Sequence, residues 1–330
     1  MKNTKLIRKK AVITAVISLV FCAILLCCYF LLPFWVYRPA KSTAIGVNRA
    51  ENRLVADKNQ VKILQLTDVH VNGALNVPIT FSIIKQTVYK TEPDLIVLTG
   101  DLFRDGCSEK NVQQLIDFMD KLGLLWAAVL GNHDYEAPYS LQELSSILET
   151  GEHSLFQTGN VPNMYGNYAY DLCFEDGSLF QLIFMDSRNV GFTQDSVAFY
   201  ESTVNASKAK TSLGKPLDNF LFYHIPLTEE NAAIQAWQSG AASGFGVLRE
   251  PACVQETDVG FFDKVLELNA TKAMMFGHDH VNNAVIHYQG VDFCYGTKTG
   301  TTSYNDMDLL GGTLYTLNSS GAYTIEHVYC

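Results

Sequence analysis

Short apolar runs recur along the chain at 61–67 (VKILQLT), 94–99 (DLIVLT), 124–130 (LLWAAVL), 179–185 (LFQLIFM), 219–223 (NFLFY) and 272–276 (KAMMF). They are near-continuously apolar and rich in β-branched and aromatic residues. That pattern suits strands buried on both faces, because an isolated helix of such length would be too short to cover a core. Helical periodicity lies between several of them, at 79–90, 112–122 and 139–149. Alternation of this kind predicts an α/β domain. After residue 280, alternating runs at 284–288, 291–295, 313–317 and 323–328 read as antiparallel strands that complete a second sheet.

The residues that follow these runs narrow the function. The first run ends in Asp68-Val69-His70, the second in Gly100-Asp101, the third in Gly131-Asn132-His133-Asp134. The run at 219 ends in His224, and that at 272 in Gly277-His278-Asp279-His280. Ligands of open α/β sheets gather beyond the carboxyl ends of strands. Of the eight histidines, five fall in these segments, so the pattern is not a scatter of surface imidazoles. His153, His287 and His327 sit in no such pattern. Asp186 follows a strand in FMDS and reads as a turn residue, and Asp279 is expected to point away from any ligand.

Carboxylates, an amide and imidazoles without thiolate suit zinc, manganese or iron, and suit calcium poorly. Two such ions held roughly 3.5–4 Å apart can clamp the attacking and leaving oxygens of a displacement at phosphorus. The cofactor expectation is therefore two metal ions, Fe, Mn or Zn.

The series D-x-H, G-D, G-N-H-D, a separate H and G-H-x-H, in this order from Asp68 to His280, resembles the signature of calcineurin-like metallophosphoesterases. FYHIPL at 222–227, GHDHVNN at 277–283 and YGTKTG at 295–300 are similar to the plant and yeast branch described as purple-acid-phosphatase-like. The resemblance implies a four-layer α/β/β/α sandwich. It implies one metal held by Asp68, His70 and His280, a second by Asn132, His224 and His278, and Asp101 bridging both. His133 is then the general acid and Asp134 its supporting residue. One departure stands out: purple acid phosphatases carry a metal-binding tyrosine three residues after the bridging aspartate, where this chain has Arg104. Neither purple colour nor a fixed ferric ion is then expected, and Arg104 becomes a candidate for substrate phosphate, which a guanidinium fork fits. The connection 228–258 has no strong periodicity and reads as a binding loop, with Trp237, Phe245 and Arg249 as further substrate candidates.

Residues 11–37 carry no charged side chain, a run longer than the ~20 residues a helix needs to cross a bilayer. Lys2, Lys5, Arg8, Lys9 and Lys10 precede it, and Arg38 and Lys41 closely follow. The positive-inside rule predicts a cytoplasmic tail at 1–10, a transmembrane signal anchor at 11–37, a linker at 38–60 and a phosphoesterase domain at 61–330 outside the membrane. A cleaved signal fits less well, since its apolar region usually runs ~7–15 residues. With the five leading cations set aside, 19 basic residues face 34 acidic ones, which opposes nucleic-acid binding. The expected substrate is a small phosphate ester, mono- or diester. The rival reading is a catalytically silent, membrane-tethered binding protein.

Overall fold

The computed structural model describes residue 10 and residues 12–25, 45–74 and 76–330, and divides into two units, Met1–Arg38 and Pro39–Cys330. In the first unit residues 12–25 are helical and expose apolar side chains such as Ile13, Ile17 and Leu19. Among the described residues no helix is long and apolar enough to cross a membrane, so the expected spanning helix is not observed. Residues 26–37 of that segment, 1–9 of the basic tail and 38–44 of the expected linker lie outside the described residues.

The second unit departs from the linker expected at 38–60. Residues 45–56 are not a tether: β1 (Ile45–Asn48) and β2 (Arg53–Ala56) pair as an antiparallel hairpin, Ile45 opposite Ala56. Ile45, Leu54 and Ala56 are buried, and Asn52 turns the chain at φ 46°. β2 then runs parallel to β6 (Tyr168–Cys173), a strand with no counterpart in the sequence reading.

β3 (Gln60–Leu66), β4 (Leu95–Thr99) and β5 (Leu125–Val129) are parallel neighbours. The crossovers are α1 (Asn76–Thr91) and α2 (Glu109–Lys121), the latter started by a Ser108–Asn111 capping box. β13 (Gly311–Asn318) joins the other side of β3 antiparallel, and β14 (Tyr323–Tyr329) closes this five-stranded sheet in the order β14-β13-β3-β4-β5.

The larger sheet contains β7 (Leu179–Phe184), β8 (Asn219–Phe222), β9 (Ser243–Phe245), β10 (Thr271–Phe276), β11 (Val285–Tyr288) and β12 (Val291–Tyr295). Its order is β1-β2-β6-β7-β8-β10-β12-β11-β9, with β7, β8, β10 and β12 mutually parallel. The four late strands therefore do not share one sheet: β11 and β12 join the larger, β13 and β14 the smaller. Alternating hydrophobicity marks a strand but not its partner.

The two sheets face each other. Gln65 Nε2 donates to the carbonyl of Phe276 at 2.9 Å, and the Tyr168 hydroxyl bonds both backbone groups of Ala128. Helices cover the outer sides. On the small sheet Phe81 of α1 stacks on Phe118 of α2. On the large sheet α4 (Gln194–Ser207) and α6 (Phe261–Leu268) set Tyr200, Val204, Phe261 and Val265 against Ile183, Leu221 and Met274. Short α3 (Leu141–Leu148) and α5 (Glu230–Gln238) complete the set. The α/β sandwich of two mixed sheets between helices matches the expected architecture, and it aims the ends of β3, β4, β5, β8 and β10 at one edge.

Candidate metal centre

Each expected ligand leaves the end of a parallel strand, and the backbone there is bent hard. Asp68, His70, Asp101 and His278 all adopt left-handed conformations, with φ of 52°, 48°, 52° and 79°. Side-chain-bearing residues rarely accept this region, and such strain collects at functional sites. The turns also pack backbone against ligand. A Cβ at Gly100, itself at φ 86°, would overlap the His224 ring, and one at Gly277 would overlap Thr67 and the Asp68 carboxylate.

The side chains converge in two groups. In the first, His70 Nε2 lies 3.1 Å from His280 Nε2, 3.8 Å from Asp68 Oδ1 and 3.6 Å from Asp101 Oδ2. His280 Nε2 is 3.4 Å from Asp68 Oδ1. In the second, His224 Nε2 lies 3.3 Å from Asp101 Oδ1 and 3.2 Å from Asn132 Oδ1, with His278 completing the set. Asp101 thus presents one oxygen to each group.

These donors fit bound cations. Among the described residues Asp68 Oδ1 and Asp101 Oδ2 are buried with no hydrogen-bond donor, an arrangement that costs free energy unless something positive meets them. The tautomers agree. His224 Nδ1 lies 2.8 Å from the Thr99 carbonyl and His280 Nδ1 3.1 Å from that of Tyr304, and a carbonyl can only accept. Each neutral ring must then turn its Nε2 lone pair toward the carboxylates, the orientation a metal ligand needs. Burial, reinforced by the Lys298 charge, lowers the pKa of His70 to about 3, and burial with His224 lowers that of His278 to about 4. For His224 burial acts in the same direction, but the Asp101 carboxylate overrides it and raises the pKa to about 9. The space beside Asp101 calls for positive charge.

The supporting contacts define the remaining roles. Asp134 is buried and accepts the N–H groups of Phe103 at 2.9 Å and Gly131 at 2.8 Å, so it fastens the Asp101 loop to the Asn132 loop. The His133 N–H donates to Asp101 Oδ1 at 2.8 Å, and its half-buried ring stands edge-on to His70. Lys298, in the YGTKTG stretch, donates to the Asp68 carbonyl at 3.1 Å from a buried position. Glu250 Oε1 accepts the His280 N–H at 2.7 Å, and its other oxygen accepts the Tyr304 hydroxyl. No residue pattern marked Glu250 or Tyr304, because isolated polar residues in loops have no periodicity.

The substrate candidates separate. Arg104 is half-buried, close enough to Lys298 to add to the burial that lowers the lysine's pKa, and its Nε is buried without a partner. Trp237 and Phe245 are not among the ligands. Phe245 lies on β9 opposite Val285 and against His327, and Trp237 packs on the neighbouring Gly244. Arg249 stands near His280 but is ion-paired with Asp306. Nor is 228–258 a loose loop. It contains α5 and β9, and its second half is tied to the ligand loop through Asn282 and Asn283. As expected, His153, His287 and His327 contact Asp120, Asp292 and Thr313, and Asp186 caps a turn by accepting the N–H groups of Tyr165 and Arg188.

Asp279 accepts from the Tyr295 hydroxyl at 2.5 Å and from Asn282, and its carboxylate lies with Cys253 within 4.8 Å of a His278 ring nitrogen rather than apart from the ligands. Behind it sits Glu230, buried with neither carboxylate oxygen hydrogen-bonded and pushed up to about 8, first by burial and then by Asp279. The folded chain keeps this proton to about pH 8, whereas the unfolded chain releases it near 4.5. Protons bound in the native state therefore exceed those in the unfolded state across that window, and stability falls as pH rises through it. Glu230→Gln should match the parent in melting temperature near pH 5 and exceed it increasingly toward pH 8. A constant difference across this range would contradict the assignment.

A profile described as calcineurin-like phosphoesterase matches residues 61–282. Two proteins of Arabidopsis thaliana are similar over most of their length. Probable inactive purple acid phosphatase 14 is 25% identical over 316 residues, covering 80% of this chain and 76% of its own. Probable inactive purple acid phosphatase 29 is 27% identical over 295 residues, covering 74% and 73%. Among solved structures, a dimetal phosphatase from Danio rerio aligns over 78% of this chain and 93% of its own, with 11% identity and a TM-score of 0.49.

Proposed function

Because this chain belongs to the calcineurin-like phosphoesterase family, we propose that it is a metal-dependent phosphoric ester hydrolase acting on small phosphate esters. The observation that carries this reading is Asp101, whose two buried oxygens each face a separate cluster of nitrogen and oxygen donors. Two bound metal ions would supply a hydroxide near neutral pH and offset charge building on the phosphoryl oxygens. Asp68, His70 and His280 would hold one ion and Asn132, His224 and His278 the other. His133 would give a proton to the leaving oxygen, and Arg104 would contact the phosphate. Asp134 would keep the Asp101 and Asn132 loops in register. Phosphate release from a panel of mono- and diesters, with manganese, zinc or iron added, tests the reading. Failure to hydrolyse any ester while metal is bound would contradict it.

The names of both Arabidopsis relatives include "probable inactive", which favours a second reading, a fold retained for binding. The complete donor set and His133 support hydrolysis over it. Replacement of the expected tyrosine by Arg104 removes a ferric ligand without removing any of those seven donors.

The membrane is the further proposed partner, through residues 11–37. The uncharged run, the cations before it and the exposed apolar side chains of residues 12–25 support an anchor with residues 1–10 cytoplasmic and the catalytic domain outside. A tag placed after Cys330 should be digested by protease added to intact cells. Protection until lysis would reverse the orientation.

A further inference from the structure

His133 Nδ1 is buried and makes no aligned hydrogen bond, yet Glu136 Oε2 lies 2.9 Å from it. The two residues sit three apart on the helical turn Asn132–Glu136. Glu136 is itself held, because the same oxygen accepts the Asp105 N–H at 2.6 Å. Asp105 follows Arg104, and its carbonyl is bonded by Asn72. His133 is thus gripped twice, its backbone N–H by Asp101 and its ring by Glu136.

We propose that Glu136 is the positioning residue of the acid, accepting the Nδ1–H of the His133 imidazolium so that its Nε2–H faces the leaving oxygen, and the ring keeps the Nδ1–H once the Nε2 proton has gone to that oxygen. A general acid must present a protonated nitrogen at a fixed angle, and a partner on the opposite ring nitrogen selects tautomer and orientation. Hydrogen bonds of this kind are often poorly aligned without substrate and tighten in the complex, in keeping with the short but off-line approach. Through Asp105, Glu136 also fixes the Arg104 loop against the acid, linking phosphate contact to proton delivery.

This inference rests on the hydrolase reading, and its tests separate the two. Glu136→Ala and Glu136→Gln are compared with the parent chain and with His133→Asn, using an alkyl phosphate and nitrophenyl phosphate. Outer partners of site residues commonly contribute about 10–100-fold. Glu136→Ala should therefore lower kcat on the alkyl ester by about 10-fold or more, with KM and metal content unchanged and little loss on the nitrophenyl ester. Glu136→Gln should fall between Ala and the parent. Added to His133→Asn, neither change should cost further activity, because acid and positioner act as one unit. Equal losses on both esters, or full losses in the His133→Asn background, would overturn the role. A second measurement needs no turnover: nitrogen NMR of the zinc-loaded full chain, with the ring neutral as it is after proton transfer, should place the remaining His133 proton on Nδ1 in the parent and on a mixture of ring nitrogens in Glu136→Ala. An unchanged His133 signal overturns the contact, whereas absence of hydrolysis with a changed signal overturns only the hydrolase reading.

Discussion

Asp101→Asn is expected to abolish phosphate-ester hydrolysis and to lower the content of both metals together. Among the described residues Asp101 is the one carboxylate whose two oxygens face different donor clusters, and it is buried with Oδ2 lacking any hydrogen-bond donor. The amide would keep the shape and could still accept the His133 N–H. It would remove the anion and turn an N–H pair toward one cluster. Losing outer-shell partners of metal ligands already costs about 10–100-fold, so losing a shared ligand should cost more than ~10³-fold. The variant should remain folded, since the amide keeps the shape of the carboxylate and can still accept the His133 N–H. Metal analysis of the purified variant beside its rate checks this. Retention of two ions with near-normal rate would remove Asp101 from the bridging position.

The second large effect is His133→Asn, and its size should depend on the leaving group. His133 follows Asn132 but belongs to neither donor cluster, and its ring is partly open to solvent. A positioned acid contributes about 10²–10⁴-fold where the leaving oxygen needs a proton. Alkoxides need one, whereas nitrophenolate departs without help. The variant should keep its metals and lose at least ~10²-fold on alkyl esters, with a much smaller loss on nitrophenyl esters. Steady-state rates on both, beside metal content, decide the matter. Equal losses would indicate phosphate positioning rather than proton delivery, and loss of metal would make His133 structural.

The ligand set was legible because each member ends a run with an unmistakable apolar pattern, and because strand ends in α/β sheets share an edge. Other features hid for physical reasons. The hairpin at 45–56 has four-residue strands with exposed residues between buried ones, so its polar side chains outweighed Ile45 and Leu54. β6 carries Asp171, a charge that reads as surface but is matched by Lys210 in the fold. The order within 228–258 was hidden for a related reason. Aromatic residues such as Trp237 and Phe245 suggest contact surface, yet the sheet edge they pack on is invisible until β9 pairs with β11. Glu136 and Glu250 reach Asp105, His280 and Tyr304 through hydrogen bonds between loops, and no local pattern encodes those.

The proposed hydrolase depends on two metal ions shared through Asp101. Its most direct test is to strip the purified full chain with a chelator, restore manganese, zinc or iron stepwise, and follow bound metal and phosphate release on the same sample. Activity should vanish on stripping and return as occupancy approaches two ions per chain. Full activity in a verified metal-free sample, or two ions bound with no ester hydrolysed, would contradict the account.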